Sequence, residues 1–400
     1  MTMLGYQNNV LRINLKEKTA STEPLRMDFA RKYIGSKGLA IRYMYEELEP
    51  GIDALGEKNK LFLTTGPLTG TPVPCSGKLS VAAKPPATGT MNDCSIGGHA
   101  GIRIKFAGYD MIIFEGISEE PCYVVIEDDK VEFLDAGDLW GIGSHEAEAI
   151  LAEKYGIEYS IMSIGPAGEK LSNMACINSD YYRQAGRGGI GAVMGSKKMK
   201  AILIKGTKGV KVANIEKTTD RILEILHEDV LQEDNTFVYD AGTTAFLEAC
   251  GDGGIVPYKN FSSANDPEWE KYNGDVLMQY REGKRGCGSC GLGCGNFLKI
   301  GNAICEGPEY ETIAVAGPNA GITDPEHIVK FNEVCDNMGL DTISTGDTIV
   351  WAMEMTEKGI YDFGIRFGEA EKMIEMVELI ARQEGVGADL CRGTKYCSEK

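Results

Sequence analysis

The stretch MIIFEGISEEPCYVVIEDD, residues 111–129, decides how the first half of this chain is read. It holds two short apolar runs, Met111-Ile112-Ile113-Phe114 and Tyr123-Val124-Val125-Ile126, with Gly116 and Pro121 between them. Short runs rich in β-branched and aromatic side chains and bounded by Gly or Pro are strands, because a helix needs a longer period and tolerates neither breaker inside it. Working outward, the same form recurs at Leu61-Phe62-Leu63, Leu79-Ser80-Val81 and Ala201-Ile202-Leu203-Ile204. Helical segments interrupt it at about 25–48 and 144–155, the second opening at Ser144 with Glu146 and Glu148 in its first turns. Residues 1–208 are therefore expected to form a β-rich domain.

Past Gly206 the period becomes helical, at about 214–232, 242–250, 325–338, 344–358 and 368–385. The boundary is expected near 208–212, with 209–400 a mainly helical domain, so the fold class is α+β. Inside the helical half lies a long irregular stretch, about 251–323, which holds a cluster of cysteines. Long loops in compact domains are usually functional.

Four hundred residues, 43% of them hydrophobic and 25% charged, suit a globular protein of more than one domain. No apolar run approaches the roughly 18 residues of a membrane span. The formal net charge of −18 excludes a general nucleic-acid binder, which needs a concentrated basic surface. The opening MTMLGYQNNVLRINL lacks the basic start and apolar core of a signal peptide, so a cytoplasmic location is expected. In that compartment thiols stay reduced, and the twelve cysteines raise the question of metal. The fifty glycines fall in particular loops, not in a repeat.

The strongest signal is Cys287-Gly-Ser-Cys290-Gly-Leu-Gly-Cys294, three thiols with glycines between them. Thiolates hold iron-sulfur clusters, and glycines let backbone N–H groups approach the sulfurs. A zinc site is the rival, but it commonly draws on a second CxxC or a His pair, and neither is at hand. A fourth ligand is missing from the motif. Cys305 is a candidate, as is a more distant cysteine.

Two glycine-rich loops could receive an anion: Arg183 to Lys197, with Arg187 and Lys197 as cations, and Ser95-Ile-Gly97-Gly98-His99-Ala-Gly101. Tight turns are the alternative explanation of such glycines, and His99 reads as a packed or hydrogen-bonded side chain. In Asp336-Asn-Met-Gly339-Leu340-Asp341 two carboxylates flank one turn between helices; they can accept paired N–H donors, or Asp341 simply caps the next helix. Glu306-Gly-Pro-Glu309-Tyr310-Glu311 offers three carboxylates, either a general acid or base or solvated charges. Lys284 and Arg285 make a small positive spot, a place for an acidic electron carrier or a solvated loop.

With these pieces in order, the chain resembles the aldehyde:ferredoxin oxidoreductase family of tungsten or molybdenum bis-pterin enzymes. The resemblance rests on GPLTGTPVPCSGK at 66–78, GGHAGIRIKFAGYD at 97–110, SIGPAGE at 163–169, AGRGGIGAVMGSKKMKAI at 185–202, CGSCGLGC at 287–294, EGPEYE at 306–311 and DNMGLDTISTG at 336–346. It implies that residues 1–208 cradle the pterins and that Cys287, Cys290 and Cys294 are three of four ligands of a 4Fe-4S cluster. Asp336, Gly339, Leu340 and Asp341 would carry one of two pterin-holding motifs. Lys78 would stand between pterin and cluster. Ser95 and Arg183, Gln184, Ala185 and Gly186 would lie against the pterin side chains or their phosphates, with Mg bridging the phosphates. Glu311 would be the carboxylate near the metal.

The reaction implied is an aldehyde plus water giving a carboxylic acid, with ferredoxin as electron acceptor, in a homodimer or a complex with an electron-transfer subunit. The resemblance also implies a third domain beyond these residues, carrying the fourth cysteine ligand and a catalytic His; Cys305, Cys391 and Cys397 are the weaker substitutes within the chain. The ExxH that joins subunits through a metal in some relatives would fall at Lys330–Glu333 and is missing, so a dimer of that kind is not expected. Relatives acting on carboxylic acids, acyl-CoA or sugar aldehydes, and a noncatalytic electron-transfer subunit, are the alternatives.

Overall fold

The computed structural model describes residues 3–232 and 236–400. Internal contacts divide the chain into two units, Met1–His227 with Cys287–Gly291, and Glu228–Gly286 with Leu292–Lys400. The sequence sets the division near 208–212, and by contacts the first unit runs on to His227 and includes the Cys287–Gly291 segment.

The first unit is built on two six-stranded sheets. Strands β1 (Asn9–Asn14), β2 (Thr19–Pro24), β3 (Leu61–Thr64), β4 (Leu79–Ala83), β5 (Asn92–Ile96) and β6 (Met111–Glu115) form one, in the order β2-β1-β6-β3-β4-β5. Strands β7 (Cys122–Glu127), β8 (Lys130–Asp135), β9 (Ser160–Ser163), β10 (Ile177–Ser179), β11 (Arg183–Ala185) and β12 (Met199–Lys205) form the other, in the order β11-β10-β9-β12-β7-β8. Among the described residues only the β1/β6 and β7/β12 pairs are parallel.

Side chains alternate across each strand, which sets the layers. Leu61 and Leu63 join Ile112, Phe114, Val124, Ile126, Ile202 and Ile204 in a core between the sheets, while Phe62, Met111 and Ile113 turn to the opposite face beneath helices Met27–Tyr33 and Ser36–Glu47. Helix Ser144–Tyr155 covers the far face of the second sheet through Leu151. Strands β3, β4, β6, β7 and β12 are buried on both faces, which is why their sequences read as apolar runs, while the edge strands β2 and β8 are exposed or half-buried.

One helix was expected over about 25–48, and two are found. The break falls at Ile34 and Gly35, where a Cβ on Gly35 would come within 2.9 Å of the Thr65 carbonyl, and Ser36 donates its N–H to that oxygen at 2.8 Å. Thr65, the residue after β3, thus takes the Ser36 N–H at the cost of helix continuity.

The second unit is mainly helical, with Pro325–Met338, Thr342–Glu357 and Ala370–Arg382 its long members. Asp324 caps the first, Pro325 occupies its opening position, and Gly339 ends it with φ of 74°. The stretch expected to be irregular holds short elements: β13 (Arg281–Arg285), β14 (Gly295–Ile300) and β15 (Ala303–Glu306) form an antiparallel sheet, followed by helix Tyr310–Ala316. Glycine, lysine and asparagine hide these strands from a hydrophobic reading. Among the described residues no helix is long and apolar enough to cross a membrane.

Candidate functional site

The cysteine run divides between the units: Cys287 and Cys290 belong to the first, Cys294 to the second. Within the first unit the segment carrying Cys287 and Cys290 lies on the glycine turn that follows β5. Gly288 donates its N–H to the Gly98 carbonyl at 2.9 Å, and Cys290 donates to the Cys287 carbonyl at 3.0 Å. A Cβ on Gly97 would stand 2.7 Å from the Cys287 sulfur, and one on Gly288 would stand 2.3 Å from Ile102. The glycines of this site are therefore required by close approach. The Cys75 N–H donates to the Cys290 sulfur at 3.3 Å, the kind of contact that stabilises a thiolate and tunes a cluster.

Arg183, on β11, lies over the same turn, its Cδ 3.6 Å from where a Gly97 Cβ would be. Gln184 and Ala185 continue the strand, Ala185 fully buried, and Gly186 leaves it half-buried. Ser95 is exposed on β5, a strand that lies against β11, and Lys78 is exposed just before β4. The structure thus gathers Ser95, Arg183, Cys287 and Cys290 around one turn.

That turn is fastened by Asp180, which the sequence reading did not single out. Its Oδ2 accepts the His99 N–H at 2.8 Å and lies 3.4 Å from His99 Nδ1, while its Oδ1 accepts the Ser160 hydroxyl at 2.8 Å and the Ile161 N–H at 3.2 Å. Burial works to raise the Asp180 carboxyl, but the His99 and Ser160 hydrogen bonds hold it below the ordinary carboxylate value. His99 is hydrogen-bonded, as the sequence suggested.

Lys197 takes no part in an anion loop. Its ammonium is fully buried and donates to the carbonyls of Asn59 at 2.6 Å and Gly116 at 3.2 Å, and burial pushes its pKa down to about 8. The glycines around it answer to packing: a Cβ on Gly195 would stand 1.9 Å from the Gly168 carbonyl.

In the second unit Asp336 is buried in helix Pro325–Met338 and accepts from Asn332 Nδ2 at 2.8 Å, Leu340 is fully buried, and Asp341 Oδ2 caps helix Thr342–Glu357 by accepting the Ser344 N–H at 3.0 Å. Of the three neighbouring carboxylates, Glu306 is buried with Arg285 Nη1 at 3.6 Å, whereas Glu309 and Glu311 are exposed. Glu309 instead accepts a hydrogen bond from the Thr243 hydroxyl.

Cys305 makes a poor substitute ligand. It is wholly buried on β15, and burial together with the carboxylates of Asp336, Glu333, Glu306 and Glu309 holds its thiol well above the ordinary value. Cys391 is pushed up to about 11 by burial and donates to the Ala388 carbonyl at 3.3 Å; Cys397 is also raised by burial and donates to the Asp389 carbonyl at 3.4 Å. Among the described residues no three His, Cys, Asp or Glu side chains converge as a single ion requires. An iron-sulfur cluster asks for something else, thiolates spread over separate irons with amides aimed at sulfur. Cys287 and Cys290 over Gly97 and the Cys75 amide fit that donor set.

A family profile described as "Aldehyde ferredoxin oxidoreductase, N-terminal domain" matches residues 10–206, and a second, described as "Aldehyde ferredoxin oxidoreductase, domains 2 & 3", matches residues 220–400. The chain is 38% identical to the tungsten-containing aldehyde ferredoxin oxidoreductase of Pyrococcus furiosus and 39% identical to that of Thermococcus kodakarensis, over 99% of its own length and 67% of theirs. A solved structure described as the active site complex BamBC of benzoyl coenzyme A reductase with 1,5-dienoyl-CoA superposes with a TM-score of 0.88 at 25% identity, covering 100% of this chain and 63% of that one.

Proposed function

The chain belongs to the aldehyde ferredoxin oxidoreductase family, and from that premise we propose that it oxidises aldehydes to carboxylic acids with ferredoxin as electron acceptor. The observation that carries the reading is the pair Cys287 and Cys290, laid over Gly97 with the Cys75 amide on one sulfur. In this reading Cys287, Cys290 and Cys294 hold a 4Fe-4S cluster. A tungsten bis-pterin, or its molybdenum counterpart, supplies the two-electron redox chemistry when bound. Aldehyde plus water gives the acid, two protons and two electrons, and the electrons leave singly.

The chain's own residues then have definite tasks. Asp336 and Asp341, with Gly339 and Leu340 shaping the turn between them, would accept the N–H donors of a pterin. Arg183, Gln184, Ala185, Gly186 and Ser95 would hold the pterin side chains or their phosphates, with Mg as the accompanying cation. Lys78, exposed just before β4, would offer its ammonium to the pterin or the cluster. Glu311 takes or gives the proton as water adds to the aldehyde carbon, and its exposure in the structure leaves it open to solvent protons. The cytoplasm is the compartment that suits a ferredoxin-linked reaction, and the neighbour described as a complex supports assembly with a second polypeptide.

The test is anaerobic production with tungstate, followed by viologen reduction with short aliphatic and aromatic aldehydes. Turnover by protein carrying tungsten and iron supports the proposal. Fully loaded protein that oxidises none of these aldehydes would sink it.

A further inference from the structure

Asp180 stands where three segments of the first unit meet. It opens the turn between β10 and β11, with φ of 52° at Asp180 and 71° at Tyr181, the left-handed region that non-glycine residues rarely hold. One of its oxygens secures β9 through Ser160 and Ile161, and the other secures the glycine turn through His99. Gly98, at φ of 83°, has no room for a side chain because a Cβ would lie 2.9 Å from Asp180 Oδ2. The carbonyl of Gly98 receives the Gly288 amide, one residue past Cys287. The opposite side of the same turn is held separately: buried Glu148 accepts the Tyr181 N–H at 2.6 Å and the Ser163 hydroxyl at 2.6 Å.

We propose that Asp180 is a positioning residue for the cysteine segment, fixing the Gly97–Gly98–His99 turn in the one conformation that seats Gly97 against the Cys287 sulfur and offers the Gly98 carbonyl to Gly288. Arg183, three residues on, is set over the same glycines by the same turn, so Asp180 aligns the segment carrying the thiols with the strand carrying the guanidinium. Its two oxygens, both occupied, join β9, the glycine turn and β11 into one rigid support. The inference rests on the proposed function for what the thiols hold. It does not rest on it for where they are held.

The experiment uses the full chain, metal-free and cluster-loaded, in Asp180→Ala, Asp180→Asn and Glu148→Gln. In metal-free protein, amide exchange at Gly288 accelerates about tenfold in Asp180→Ala, as expected when the support of one hydrogen bond is withdrawn, and less in Asp180→Asn, which keeps one acceptor oxygen. Glu148→Gln disturbs the β10–β11 turn without touching His99 and leaves Gly288 protected. In loaded protein the Asp180 variants shift the cluster's reduction equilibrium about tenfold, about 59 mV for one electron, at unchanged iron content. Equal acceleration in Glu148→Gln, or native Gly288 exchange in both Asp180 variants, overturns the proposal. So does lost thermal stability with an unmoved potential. Should the chain take up no cluster at all, the proposed function fails while the Gly288 exchange still decides the role of Asp180.

Discussion

Cys290 and Cys305 stand fifteen positions apart in sequence and in opposite surroundings. Cys290 is half-buried, with a backbone amide aimed at its sulfur and glycines that let the segment lie close on its support. Cys305 is sealed in a β-strand of the second unit with four carboxylates near enough to oppose a negative sulfur. A thiol becomes a metal ligand through access and nearby donors, not through spacing alone. The contrast also holds for cations: Lys78 is open to solvent beside strand β4, whereas Lys197 is shut beneath the sheets with two carbonyls.

The largest expected effect comes from exchanging the two cysteines' fates. Cys290→Ser loses most of its iron and its aldehyde-dependent viologen reduction, while Cys305→Ala keeps both and gives up about 1 kcal/mol of stability to a small cavity. Equal iron loss in the two variants would erase the contrast. Next comes the support beneath the thiols. Gly97→Ala pushes a methyl to within 2.7 Å of the Cys287 sulfur and should cut iron occupancy severalfold, whereas Gly283→Ala on β13, with nothing within 4 Å, should leave it alone.

Lys197 gives the third prediction. Its pKa of about 8 in the fold lies below its ordinary value of 10.5, so the folded chain disfavours its charge. The penalty is complete below pH 8 and fades as pH rises toward the unfolded value, so this group's contribution makes the fold more stable between pH 8 and 10.5. The span is about 3 kcal/mol, read as the pH-dependent difference in unfolding free energy between native protein and Lys197→Met. A flat difference across that range would show that the ammonium is not sealed.

The smallest effect separates two roles for Asp341. Asp341→Ser keeps a cap on helix Thr342–Glu357, and Asp341→Ala loses about 1 kcal/mol of helix stability. If the carboxylate also holds a pterin, both variants lose tungsten; if it only caps, the serine variant retains it. Metal content beside thermal unfolding reads the two apart.

What the sequence revealed follows from how local each signal is. Helix Pro325–Met338 was legible to the residue because Asp324, Pro325 and Gly339 mark its ends by chemistry that acts within one turn. Strands β13 to β15 were missed, since their stability comes from pairing across the sheet and their composition resembles a loop. The three thiols announced themselves by spacing. Asp180 did not, because its partner His99 lies 81 residues away and no neighbour in sequence hints at the contact. Lys197 looked like an anion ligand because a lysine among glycines reads as exposed until the sheets close over it.

We propose that Cys287, Cys290 and Cys294 hold an iron-sulfur cluster. Iron and acid-labile sulfide measured per chain in anaerobically purified protein, together with the EPR spectrum after dithionite reduction, test it most directly. About four of each are expected, with a reduced-cluster signal that Cys287→Ser abolishes. Stoichiometric zinc without sulfide, or an undiminished signal in Cys287→Ser, would contradict it.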